Sequence, residues 1–129
     1  MRIPLLKRTF AMAVAMVAGT AVFTATPAYA SSYKGCVYPR VCFYLTDADW
    51  AASSPTAAYQ DVTDVFQNLG SKSRGAKHVM NTRNDDRVIL RYLRYGETYY
   101  ECLEPNTGRS YPSYLTVTGI MIQTASSCN

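Results

Sequence analysis

From Val41 onward the chain runs in short apolar stretches separated by turn-forming residues. Val41-Cys42-Phe43-Tyr44-Leu45 is aromatic and β-branched, which suits a strand, and Asp47-Ala48-Asp49 breaks it. Ser53-Ser54-Pro55-Thr56 reads as loop. Between Tyr59 and Leu69 the period changes: Val62, Val65, Phe66 and Leu69 fall at i, i+3, i+4 and i+7. That spacing predicts a short helix or turn, capped by Asp61 or Thr63 and ended by Gly70. Ser71-Lys72-Ser73-Arg74-Gly75 reads as a flexible basic loop. Lys77 to Thr82 alternates again, with Val79 and Asn81 on one face and His78 and Met80 on the other. Asn84-Asp85-Asp86 signals a turn, and Val88 to Tyr92 a strong strand. Arg94-Tyr95-Gly96-Glu97 has the look of a hairpin turn, after which Thr98 to Leu103 resumes as strand. Pro105-Asn106-Thr107-Gly108 is another turn, and Tyr114 to Gln123 is the last strand. Short strands punctuated in this way predict an all-β domain, a small sandwich or barrel.

The first thirty residues follow a different pattern. Arg2, Lys7 and Arg8 precede a mostly apolar run from Phe10 to Phe23, and Pro27 leads into Ala28-Tyr29-Ala30. This is the layout of a secretory signal peptide, with cleavage expected after Ala30. The run is shorter than the ~20 residues a membrane-spanning helix needs. The expected organisation is a cleaved segment 1–30 and a single domain 31–129, secreted and extracellular, with no membrane association after cleavage. The net charge changes with it. The whole chain carries +4 from 13 basic and 9 acidic residues. Removing Arg2, Lys7 and Arg8 leaves ten basic residues against nine acidic, a net charge of +1. No nucleic-acid partner is expected of so balanced a surface.

All four cysteines, Cys36, Cys42, Cys102 and Cys128, lie in the expected exported part, where disulfides form. Four cysteines permit three connectivities. The short segment between Cys36 and Cys42, with Pro39 favouring a turn, favours Cys36–Cys42 together with Cys102–Cys128. The spacings do not resemble a zinc site, and His78 is the only histidine.

A faint internal duplication runs through the domain. Val41-Cys42-Phe43-Tyr44 and Val88-Ile89-Leu90-Arg91 open its halves, and His78-Val79-Met80-Asn81 and Gly119-Ile120-Met121-Ile122 sit near their ends. Two Greek-key units packed face to face would produce it. The cysteine loop, Val41-Cys42-Phe43-Tyr44 with Trp50 shortly after, Asp64-Val65-Phe66-Gln67-Asn68 and the strand Val88 to Tyr92 together resemble a family of small exported actinomycete proteins. These are the Streptomyces metalloproteinase inhibitor-like peptidase inhibitors. The resemblance implies a βγ-crystallin-like fold of two Greek-key motifs, two disulfides, and inhibition of secreted thermolysin-like metalloproteases. The calcium signature of that fold is not found. Asn84-Asp85-Asp86-Arg87 comes nearest, but Val88-Ile89 follows where Ser/Thr-Ser is needed. No cofactor or metal is assigned.

An inhibitor needs a rigid, exposed, extended segment, because pre-organisation lowers the entropic cost of binding. Glu101-Cys102-Leu103-Glu104, stiffened by a disulfide at Cys102 and by Pro105, is the candidate inhibitory loop, with Leu103 as the apolar side chain offered to the protease. The expected partner is an extracellular metalloprotease, met by a monomer. No catalytic residue is assigned.

Two other classes remain open. Tyr92, Tyr95, Tyr99, Tyr100, Tyr111 and Tyr114 would suit a binding or toxin-like module for cell-wall glycans, although tyrosine is also a favoured strand residue. His78 with Glu97, Glu101 or Glu104 and an arginine would suit a small secreted ribonuclease. Arg83, Arg87, Arg91 and Arg94, with Lys72, Arg74 and Lys77, read first as solvated charges and second as a polyanion-binding strip. Asp47-x-Asp49 begins like a calcium loop but lacks its later glycine and glutamate.

Overall fold

A computed structural model describes residues 32–129. The expected signal peptide and its cleavage point lie outside the described residues. The chain forms β1 (Val41–Tyr44), α1 (Asp47–Ala51), β2 (Ala57–Tyr59), β3 (Gln67–Asn68), β4 (His78–Asn81), β5 (Arg87–Arg94), β6 (Glu97–Leu103), β7 (Thr107–Ser110) and β8 (Leu115–Gln123). The strands make two antiparallel four-stranded sheets, ordered β2-β1-β4-β7 and β3-β8-β5-β6. Each half of the chain contributes three strands to one sheet and sends its third strand, β3 or β7, to the other. Advancing every strand of the first sheet by half the chain yields the second.

Alternation builds the core between the sheets. Val41 and Phe43 of β1, Val79 of β4, Val88 and Leu90 of β5, and Val117, Ile120 and Ile122 of β8 meet there and are fully buried. Every residue of β1 is buried, because its outer face is covered as well. Cys42 and Tyr44 on that face pack with Cys36, Met80 and Trp50 in a second, smaller cluster. The expected disulfides are both present, Cys36–Cys42 and Cys102–Cys128, with Cα separations of 5.7 and 5.8 Å. The first folds the N-terminal segment over β1, and the second ties the end of β6 to the C-terminus.

Two expectations fail, for local reasons. Tyr59 to Leu69 is not a helix. Tyr59 ends β2, Val62 bridges to Ile122, and Gln67–Asn68 form β3 against β8. Val62, Thr63 and Val65 are β-branched and weak helix formers, and Val62 and Val65 stay exposed while Leu69 alone enters the main core. Conversely, Asp47-Ala48-Asp49 does more than break a strand. It opens α1 with a capping box in which Thr46 Oγ1 accepts from the Asp49 N–H at 3.1 Å and the Thr46 N–H donates to Asp49 Oδ2 at 3.1 Å. Thr107-Gly108, read as turn, belongs to β7; only Pro105-Asn106 turns the chain.

The β5–β6 hairpin lies where the turn signal placed it. Tyr95 and Gly96 form the β5–β6 hairpin turn, both at positive φ (49° and 80°), the backbone a two-residue hairpin requires. The segment Ser71–Gly75, expected as a flexible loop, is instead a hydrogen-bonded turn: Ser73 and Arg74 N–H groups donate to Gly70 O, and buried Ser73 shares a 2.8 Å hydrogen bond with the Tyr59 hydroxyl. Gly119 makes room for Arg91. A Cβ there would lie 2.7 Å from the guanidinium, which donates to Thr118 Oγ1, Thr118 O and Asn68 Oδ1 and so fastens β3 to the sheet.

Candidate functional site

The predicted inhibitory loop is in fact the end of an edge strand. β6 is the last strand of its sheet, and its first four residues are exposed. Cys102 is exposed and Glu101 half-buried. Leu103 is only 5% exposed and packs in the main core, so its side chain is not presented outward. Alternation explains the difference: Leu103 pairs with buried Val88, and Cys102 points to the opposite face. Glu101 is committed inward. Arg109 Nε donates to both of its carboxylate oxygens at 3.0 Å, and the Tyr111 hydroxyl donates to Oε1. Burial, reinforced by the hydrogen bond to Glu101, pushes the Tyr111 phenol far above its ordinary range. Burial alone would lower Arg109, but the Glu101 hydrogen bond and charge outweigh it and hold the guanidinium more firmly protonated. Glu104 Oε1 accepts from the Cys128 N–H at 3.0 Å, a second clasp beside the disulfide.

The tyrosines divide between packing and display. Tyr92 and Tyr99 are cross-strand partners with stacked rings 5.8 Å apart, and Tyr92 also meets Tyr111. Tyr100 lies against Phe66 on the outer face, where Arg91 sits over the Phe66 ring. Tyr95 and Tyr114 stack at 6.0 Å and 10° beside the hairpin turn, both exposed. The arginines are largely engaged. Arg83 Nε donates to Asp86 Oδ2 at 2.6 Å, and its Nη1 donates to Pro39 O and Gln60 O. Arg87 Nε donates to Gln123 and its Nη1 to Ser127 O.

The outer face of the other sheet carries an arrangement that the sequence did not reveal. α1 follows β1 closely, and β4 lies between β1 and β7, with His78 directly opposite Ser110. His78 Nε2 lies 2.7 Å from Asp47 Oδ1, and its Nδ1 lies 3.0 Å from Ser110 Oγ. The imidazole stacks on Trp50 with centroids 4.8 Å apart and planes 14° apart. Lys34 Nζ sits 5.1 Å from the Trp50 ring centre, and Tyr33 and Tyr44 meet that ring edge-on. Burial, with Tyr33 nearby, pushes the Tyr44 phenol up to about 12. Tyr33, Trp50, His78 and Ser110 border an open cleft of about 450 Å³, lined also by Met80, Asn106, Gly108 and Arg109. None of Glu97, Glu101 and Glu104 bonds to His78: they serve Tyr99, Tyr111 and Arg109, and Cys128. The signal that could have found α1 is the Thr46-x-x-Asp49 capping pattern. The meeting of Asp47, His78 and Ser110 depends on register, which no short motif encodes.

Comparison with protein-family profiles, with characterised proteins and with solved structures finds no match to this chain. Both disulfides are compatible with an extracellular location, and no described helix is long and apolar enough to cross a membrane.

Proposed function

We propose that this chain is a secreted βγ-crystallin-like domain that inhibits extracellular metalloproteases. The fold part of the reading is supported by the exchange of β3 and β7 between sheets, the order expected of two Greek-key units packed face to face. The inhibitory part rests on one observation: β6 is an exposed edge strand whose end is clasped by Cys102–Cys128 and by Glu104 to the Cys128 N–H. An open strand edge is a ready template for an extended partner, and a clasped one loses little entropy on binding. In this reading the contact is made by the β6 main chain and by outward Tyr100 and Cys102, while Leu103 holds the strand to the core. Residues 31–129 should abolish the activity of a thermolysin-like protease stoichiometrically, and Tyr100→Ala should weaken that inhibition roughly tenfold or more. A protease left untouched by a large excess of the protein overturns the reading.

The exposed Tyr95–Tyr114 stack favours cell-wall glycan binding as the second reading. Retention on cell walls that is lost in Tyr95→Ala, with no protease inhibition, would establish it instead.

A further inference from the structure

We propose that the cleft beside Trp50 is a hydrolytic site for small aryl esters, with Ser110 as its nucleophile. This goes beyond the inhibitory reading and uses a different face of the molecule. Asp47, His78 and Ser110 come from α1, β4 and β7, three elements distant in sequence, and form one hydrogen-bonded chain. The carboxylate accepts only from a protonated Nε2, and in the neutral imidazole that leaves Nδ1 unprotonated and able to accept from the Ser110 hydroxyl. That is the tautomer a general base requires, here with the two ring nitrogens in exchanged roles relative to the familiar serine protease arrangement. Stacking on Trp50 fixes the plane of the ring. Ser110 is exposed, so its oxygen is reachable from the cleft.

The cleft also suggests the substrate. Trp50, Tyr33 and Met80 offer an apolar, partly aromatic wall suited to a flat aryl group. In the first step Ser110 Oγ bonds to the ester carbonyl carbon as its proton passes to His78 Nδ1. The carbon–oxygen bond to the leaving phenol then breaks, and the phenol takes that proton from Nδ1. Water attacks the Ser110 acyl ester, its proton follows the same route, and the carboxylic acid leaves with the Ser110 hydroxyl restored. Ester and water are consumed, acid and phenol are formed, and no redox partner is needed.

The test uses residues 31–129 with both disulfides formed, a p-nitrophenyl ester and a fluorophosphonate. Phenol release above the buffer rate is expected, together with a single fluorophosphonate adduct that peptide mass spectrometry assigns to Ser110. Ser110→Ala, a small change at an exposed position, should remove both. His78→Gln should lower turnover by roughly 10²-fold or more, the scale of general-base catalysis. Asp47→Asn should lower it less while shifting its pH profile, because the Asp47 carboxylate is largely exposed. An adduct on another residue, or turnover that survives in Ser110→Ala, overturns the proposal. Protease inhibition measured on the same Ser110→Ala protein reports on the other face independently.

Discussion

The outer faces of the two sheets have been treated in opposite ways. On the first, the Cys36–Cys42 segment and Trp50 cover β1, and the polar side chains that remain, Asp47, His78 and Ser110, are locked to one another. On the second, β6 is left at the edge with most of its residues exposed and its end secured by Cys102–Cys128. The contrast shows how a small domain uses disulfides for two purposes. One makes a cover that fixes side-chain geometry, and the other anchors an edge without covering it. A natural sheet normally shields its edges, which is why the inhibitory contact is proposed at β6 and not on the covered face.

The largest expected effects test this division through the disulfides. Replacing Cys102 and Cys128 together by serine should cost about 3.5 kcal/mol, and replacing Cys36 and Cys42 about 2.4 kcal/mol, because the loop released is longer in the first case. Denaturant midpoints would measure both. The reverse order would mean that the covering segment contributes more through packing than through chain entropy. Next comes the alternation of β6. Leu103→Ala should destabilise by roughly 3 kcal/mol as a core cavity, whereas Tyr100→Ala should change stability by less than about 0.5 kcal/mol. Equal losses would show that the outer side of β6 is covered after all.

The smallest effect at neutral pH grows in alkali. Tyr44 on the covered face and Tyr111 beneath β6 both have phenol pKa values raised by burial above the ordinary value near 10. The native state therefore holds their protons more tightly than the unfolded chain does. This stabilisation is fully present below about pH 10 and is lost as pH rises toward the folded values. Tyrosinate absorbance followed alongside unfolding should show Tyr44 and Tyr111 ionising only as the fold opens. Ionisation of both without unfolding would contradict their burial.

Much of the fold was legible because β patterning is local. Val79 and Asn81 do face one way and His78 and Met80 the other, and Tyr95-Gly96 does turn the β5–β6 hairpin. Both disulfides follow the expected pairing. The errors fall where a local pattern had two solutions. The spacing of Val62, Val65, Phe66 and Leu69 fits a helix, yet Gln67 and Asn68 gain more by completing the edge of β8. Leu103 was expected to be an outward anchor because it sits in a stiffened segment. Its direction is set instead by its pairing with Val88.

Composition and spacing alone determined an all-β, two-disulfide domain, since strand propensity, turn chemistry and cysteine placement are properties of neighbouring residues. Tertiary structure decided which strands exchange between sheets, which edge stays open, and that Asp47, His78 and Ser110 meet. Those outcomes depend on register between segments more than thirty residues apart, where a shift of a single residue turns every side chain to the other face.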